Sequence, residues 1–213
     1  MIDVSPDAPE MDLYQNSYAI AYRLGFGMIT SYVPVDPGAS TMTATLSGSK
    51  RAVTRSRTTL ATQGQYTVLI GNFSDNLQQT VLKDQDTPAP AGKIAVRMID
   101  ESMLEGALDI YLVPAGQRIS DTKPVISGSS FGANTGYVDL QAGTYSLVVE
   151  PAGAVLSDGR DALYTGAQIA YPSGAASTII LSDGRAPYGV PSLQVIVASD
   201  YVPIPERSEL RIK

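Results

Sequence analysis

MDLY, residues 11–14, alternates apolar with polar side chains, and the pattern returns as LDIY at 108–111. A period of two marks a strand with one buried face. Working outward, further echoes keep the same order. FGMITSYVPVDPG at 26–38 returns as FGANTGYVDLQAG at 131–143, with Phe, Gly, Tyr, Val and the last Gly in register. QGQYTVLIG at 63–71 is echoed by SGAASTIIL at 173–181, and LQQTVLKD at 77–84 by SLQVIVASD at 192–200. The offset grows from 97 to 105 and then to about 110–115, as loop insertions in the second copy require. Two ordered copies of one unit follow, a tandem duplication. Between them DQDTPAPAGK, 84–93, has the Pro and Ala content of a short, semi-rigid linker.

The other β-like runs are short and rich in Val, Ile, Thr and Tyr. They include YAIAYRL, MITSYVPV, STMTATLSG and RAVTRSRTTLA in the first copy, and KIAVRMI, GYVDL, TYSLVVE and ALYTGAQIAY in the second. Asn-Ser, Pro-Gly, Ala-Gly and Asp-Gly pairs punctuate them as turns. About seven strands in each ~100 residues predict an all-β protein of two tandem immunoglobulin-like antiparallel β-sandwiches. The expected bounds are 1–86 and 93–200, with a linker at 87–92 and a polar, Pro-bearing tail at 201–213. Ser102 and Glu105 have capping-box spacing, but Gly106 limits any helix there to one turn. SPDAPEMDLY, 5–14, reads as a Pro-rich bend entering a strand, with Asp12 on the outward face and Asp7 and Glu10 solvated beside it.

The chain has 213 residues, with 44% apolar, 17% charged and a net charge of −6. That is enough apolar material for buried cores. Basic residues number 6 against 8 acidic in 1–90, and 9 against 13 in 91–213, so neither half is basic and nucleic acid is not an expected partner. Histidine, cysteine and tryptophan are absent. Their absence excludes a Ser-His-Asp triad, a cysteine nucleophile and a zinc site built on nitrogen or sulfur. No cofactor is implied. No apolar run approaches the roughly 18 residues a membrane helix needs.

SPDAPEMDLY, LGFGMITSYVPVDPG and QGQYTVLIG together resemble the DUF4397 family, bacterial domains of unknown function. Its repeat opens with a hydrophobic strand, an Ala/Val-Ser-Pro-Asp-Ala-Pro bend and a Val-Asp-Val-Tyr strand. A Phe-Gly…Tyr…Pro-x-Gly stretch and a Tyr-Thr-Val strand follow. The likeness covers about residues 2–84 well and 94–200 more weakly. The second copy departs at ESMLEG and carries an insertion at 114–130. Members are usually exported, often as envelope lipoproteins, so the resemblance implies a cell-envelope or secreted protein. The first strand is long in the second copy, KIAVRMI, and only MIDV in the first. Upstream residues, an export signal among them, are therefore expected to have been removed.

Each candidate site has a plainer counterpart. Ser47–Lys50 and Ser120–Lys123 have Ser-x-x-Lys spacing, but neither opens a helix. Asp7/Glu10/Asp12 and Asp100/Glu101/Glu105 are the carboxylates a glycan-cleaving enzyme would need, the alternative to a non-catalytic reading. Asp84 with Asp86, or Asp158 with Asp161, offer oxygen ligands for calcium without the spacing of a calcium loop. Ser-Asp-Gly-Arg at 157–160 and 182–185 reads as tight turns. Asn72-Phe73-Ser74 is a glycosylation sequon, without consequence in a bacterial source. Lys50, Arg51, Arg55 and Arg57 form the one basic cluster. In a strand the three arginines share a face that would grip an anionic polysaccharide or blunt a sheet edge. Tyr32 and Tyr137, and Tyr14 and Tyr111, hold equivalent places. They read as core rings with satisfied hydroxyls, or as contacts for a sugar or protein. The expected role is a non-catalytic binding or structural module for a protein or glycan partner. An exposed apolar or tyrosine patch would separate a binder from a spacer.

Overall fold

The computed structural model describes residues 1–156, 162–185 and 192–204. It is all-β. The first unit runs β1 (Ile2–Asp3), β2 (Met11–Gln15), β3 (Tyr18–Leu24), β4 (Gly38–Leu46), β5 (Ala52–Leu60), β6 (Tyr66–Gly71) and β7 (Gln78–Lys83). The second runs β8 (Lys93–Glu101), β9 (Leu108–Pro114), β10 (Ile126–Ser129), β11 (Asn134–Gln141), β12 (Gly143–Pro151), β13 (Tyr164–Tyr171), β14 (Ala176–Asp183) and β15 (Leu193–Tyr201). Strand order repeats: β3-β2-β4-β5 faces β1-β6-β7, as β10-β9-β12-β13 faces β11-β8-β14-β15.

Alternation fills each sandwich. Met11 and Leu13 of β2 meet Met42, Ala44, Val68 and Ile70 in the first core, while Asp12 faces away. In β8, Ile94, Val96 and Met98 enter the second core, against Leu108, Ile110, Leu147, Val149, Ile179 and Leu181. The opposite face of the same strands makes a third cluster that joins the units: Ile2, Val4 and Leu69 against Ile99, Ile180 and Ile196. At ~1.5–3 kcal/mol per buried aliphatic side chain, these six contribute on the order of 10 kcal/mol before ordering costs. The inner sheets therefore hold the two sandwiches together.

Several expectations need correction. Each inner sheet contains one parallel pair, β1 with β6 and β8 with β14, among otherwise antiparallel strands. MITSYVPV, 28–35, is not a strand, since only Ile29 bridges, to Ile2. Its counterpart β11 pairs from Asn134 to Gln141 along β8, which offers nine residues where β1 offers two. Ser102–Glu105, allowed one helical turn at most, is a run of bends in which the Asp183 carboxylate accepts the N–H groups of Met103 (2.9 Å) and Leu104 (3.1 Å) from outside. The single 3₁₀ turn among the described residues, Ile119–Asp121, lies in the insertion, which also supplies β10. Ser182 and Asp183 finish β14, and the Gly184 N–H donates to Ser192 O across the start of β15. The turn at 157–160, the Asp158/Asp161 pair and the tail from 205 lie outside the described residues.

Asp12 is not a solvated acid: it is only 5% exposed. Its carboxylate accepts the Arg23 N–H (2.9 Å) and the Gly48 N–H (3.0 Å), tying the end of β3 to the β4–β5 turn. The Arg23 amide, more than the other contacts, holds this carboxyl below the ordinary range. Asp109 repeats the device on Gly128 (2.8 Å) and Gly153 (2.9 Å). Gly48 and Gly153 have φ of 73° and 74°, a left-handed turn conformation that glycine adopts without strain. Removing either carboxylate, as Asp12→Ala or Asp109→Ala, is expected to cost about 1–3 kcal/mol. That corresponds to a Tm loss of roughly 3–10 °C for a chain this size. The two costs are expected to add, since the sites share no partner; thermal denaturation of the single and double variants measures this.

Candidate functional site at the junction of the units

The polar centre of the molecule is a repeated trio. In the first unit, the Tyr32 hydroxyl (2.8 Å) and the Thr67 hydroxyl (2.7 Å) both donate to Asp84 Oδ2. In the second, Tyr137 (2.8 Å) and Thr178 (2.6 Å) donate to Asp200 Oδ2. Thr67 and Thr178 sit on equivalent central strands, and Asp84 and Asp200 close the last strand of each unit. Burial comes first in pushing the Tyr137 phenol up to about 12, and it also raises the Asp200 carboxyl. Burial likewise raises the Tyr32 phenol, with the Asp84 charge second. Both tyrosines thus stay protonated donors.

Arg97 of β8 links the trios across the junction. Its Nη2 lies 2.6 Å from Asp84 Oδ1, with both side chains almost wholly buried. Nε donates to Thr178 Oγ1 (3.0 Å) and Nη1 to the Lys83 carbonyl (3.1 Å). The guanidinium stands 4.8 Å from the centre of the Tyr137 ring, a cation–π contact. Each of the three guanidinium nitrogens thereby donates to a partner in the protein. Sequence reasoning selected the tyrosines, read Asp84 only as a calcium ligand, and missed Arg97, Thr67, Thr178 and Asp200. One usable signal was an arginine inside the apolar run KIAVRMI; the other was the shared final Asp of LQQTVLKD and SLQVIVASD.

Beside this network, 28–35 crosses the open side of the first sandwich. A cavity of about 120 Å³ lies under it, between Thr30–Val33 on one flank and Gln65, Tyr66 and Val68 on the other, with Ile20, Met42 and Leu60 beneath. A second, of about 130 Å³, lies on the side facing β15, between Ile29–Tyr32 and Thr67, Ala198 and Ser199. Tyr18, Tyr22, Met28, Ile29, Tyr32, Val33 and Val35 are all exposed. They make seven of the fourteen large exposed apolar side chains among the described residues. Their crowding into 18–35 is uneven enough to mark a face.

The basic cluster is elsewhere. Lys50, Arg51, Arg55 and Arg57 are exposed, and Arg55 and Arg57 project from β5, the edge of the outer sheet. Arg51 precedes β5, and a register shift opposite Ala44/Thr45 interrupts the alternation that would align it with the other two. The structure does not bring these residues to Tyr32 and Tyr137.

Four of the six carboxylates proposed for sugar chemistry, Asp7, Glu10, Asp12 and Asp100, are engaged individually. Asp7 accepts the Ser74 amide (2.7 Å) and hydroxyl (2.8 Å), and Glu10 pairs with Arg23. Asp100 accepts the Ser102 amide and hydroxyl. Burial first, then the Asp100 charge, pushes Glu101 up to about 7. Neighbours in a strand point to opposite faces, so Asp100 and Glu101 do not flank a common space. Asp84, offered as a calcium ligand, has its oxygens on Tyr32, Thr67 and Arg97.

A pair of β-sandwiches locked by a shared buried network, with an apolar face on one of them, defines the class. The chain belongs to the DUF4397 family, a domain of unknown function, whose model matches residues 1–111. The match takes in the whole first unit and continues through β8 into β9, ending at Tyr111. No curated protein matches the chain. Among the described residues, no helix is long and apolar enough to cross a membrane.

Proposed function

We propose that this chain is a non-catalytic, immunoglobulin-like binding module of a bacterial cell envelope or of the secreted space, and that it holds a protein partner on its first unit. The observation that carries the reading is the concentration of exposed aromatic and aliphatic side chains in 18–35. Such a face loses free energy to water unless it is covered. Tyrosine also suits a contact that has an apolar body and a polar tip. The non-catalytic reading is supported by Asp7, Glu10, Asp12 and Asp100 being held by backbone amides or an arginine. The cell-envelope setting rests on the family resemblance.

A photoreactive residue placed at Tyr22 tests this in cells of the source organism. The expected result is one discrete protein adduct from Tyr22 and none from the same group at Gln168 on β13. Equal labelling from both positions, or none from Tyr22, overturns it. Fractionation of the same cells is expected to place the adduct with the envelope or the medium.

A further inference from the structure

We infer that the outward face of β4 and β5 binds a linear acidic polysaccharide, with arginines on its carboxylates and threonines on its hydroxyls. The site lies at the β5 edge of the outer sheet, the opposite end from β3. It is a second binding face, beyond the protein contact assigned to 18–35.

The cations there are concentrated and unpaired. In a chain of net charge −6, four of the six basic residues in 1–90 fall within 50–57. All four are exposed, and no carboxylate among the described residues forms an ion pair with them. Met42, Ala44 and Leu60 point into the core, so alternation turns Thr41, Thr43, Arg55, Arg57 and Thr59 outward. Across the ladder Arg55 stands opposite Thr43, and Arg57 opposite Thr41. Arg55 Nε donates to Thr43 Oγ1 (3.3 Å), which draws the guanidinium over β4 and leaves both Nη groups for a ligand. An open hollow of about 330 Å³ adjoins Arg57, between Thr41 and Thr59.

Protection of a sheet edge does not account for these arginines. β13 is the equivalent edge strand of the second unit, and its sequence, YTGAQIAY, carries no charge. Thr165 and Gln168 pair with Val148 and Ser146 of β12, as Arg55 and Arg57 pair with Thr43 and Thr41 of β4. The two faces also differ in cover. Tyr111, Val113 and Val148 are buried together with Ile119 of the insertion, whereas Arg55, Arg57 and Thr59 are open to water.

The layout of the face selects the ligand. Outward residues along a strand stand about 7 Å apart, and the cations of 50–57 extend over roughly 20 Å. A linear polyanion matches such a row better than a single phosphate does. Arginine takes a carboxylate through two parallel hydrogen bonds. Threonine hydroxyls both donate and accept, as sugar hydroxyls require. A lipid surface or a single-stranded nucleic acid calls instead for apolar or aromatic side chains to insert or to stack. Among the described residues, none of the large exposed apolar side chains lies in β4 or β5.

The test titrates the protein with an oligogalacturonate long enough to span 50–57, at low salt. The expected result is saturable binding that neutral dextran does not reproduce. Arg55→Gln combined with Arg57→Gln is expected to weaken it at least about tenfold, and Thr41→Val about threefold. Arg55→Lys with Arg57→Lys keeps the charge without the fork and is expected to fall between the parent and the glutamine pair. These side chains touch no core, so the melting temperatures of the arginine variants are expected to match the parent. Absent binding, or binding that survives the glutamine pair, overturns the inference. Polyglutamate held as tightly as the oligogalacturonate would make the face a general polyanion trap and overturns it too. Phosphatidylglycerol vesicles held more tightly than the glycan, and released by the glutamine pair, would assign the face to a membrane surface instead.

Discussion

Arg97→Met is expected to destabilise the protein by about 3–5 kcal/mol, the cost of removing one partner from a buried ion pair. Methionine keeps the apolar stem but ends about where Nε stands, so the space left by the rest of the guanidinium adds to the loss. What remains is the Asp84 carboxylate, wholly buried and deprived of its only cation contact in this network at 2.6 Å. Thr178 Oγ1 and the Lys83 carbonyl lose donors at the same time. Because Asp84 belongs to the first unit and Thr178 to the second, the penalty falls on the junction. Combining Arg97→Met with Asp84→Leu removes the orphaned charge, and about half the stability is expected to return. Full recovery is blocked by the Tyr32 and Thr67 hydroxyls, which would lose their acceptor. Urea denaturation of the parent, the single variant and the double variant measures these differences. A single variant within about 1 kcal/mol of the parent would show that water, not buried structure, solvates Asp84.

The strands were legible because alternation and turn residues are local. YAIAYRL, 18–24, is β3 residue for residue, and LQQTVLKD yields β7 despite its helix-compatible composition. What stayed hidden depends on pairing between distant segments. MITSYVPV has a strand-like composition, yet its pairing depends on how much of β1 lies alongside it, which its own residues do not encode. Asp12 looked outward and solvated from the period of β2. Its burial comes from Gly48, 36 residues away, folding over it. The repeated tyrosines were found by comparing the two copies. The acids that receive them, Asp84 and Asp200, stood in the same aligned echoes but carried no signal of burial. The charged residue of an apolar run, Arg97, is the general lesson: such a residue marks a place where one sheet face must meet a carboxylate.

Two carboxyls, Asp3 and Glu101, are expected to make the protein more stable in mild acid than at neutral pH. Burial pushes Asp3, completely enclosed, up to about 6, against the smaller opposing pull of the Ser5 amide and Arg185. Glu101, lodged against Gly71, rises to about 7 through burial and then the Asp100 charge. In both, the folded chain binds its proton more tightly than the unfolded chain, whose values stay near 4. The stabilisation is therefore fully present below about pH 4 and is lost as pH rises through 6 to 7. The scale is on the order of 2–3 kcal/mol per group. Asp200 and Glu105, also raised by burial, act in the same sense. Asp12 acts in the opposite sense: its depressed carboxyl contributes above about pH 4 and ceases to as the solution becomes more acidic. The Tm is thus expected to peak near pH 4–5 and to fall by roughly 5–15 °C between pH 5 and pH 8. Glu101→Gln and Asp3→Asn keep shape and hydrogen-bonding capacity while removing the charge. Together they are expected to flatten that limb and to raise the Tm at pH 8. Calorimetry across pH 4–8 decides it: a Tm that is level or climbs from pH 5 to pH 8 in the parent chain would mean that both carboxyls reach water, and the packing of β1 and β8 at the junction would need redrawing.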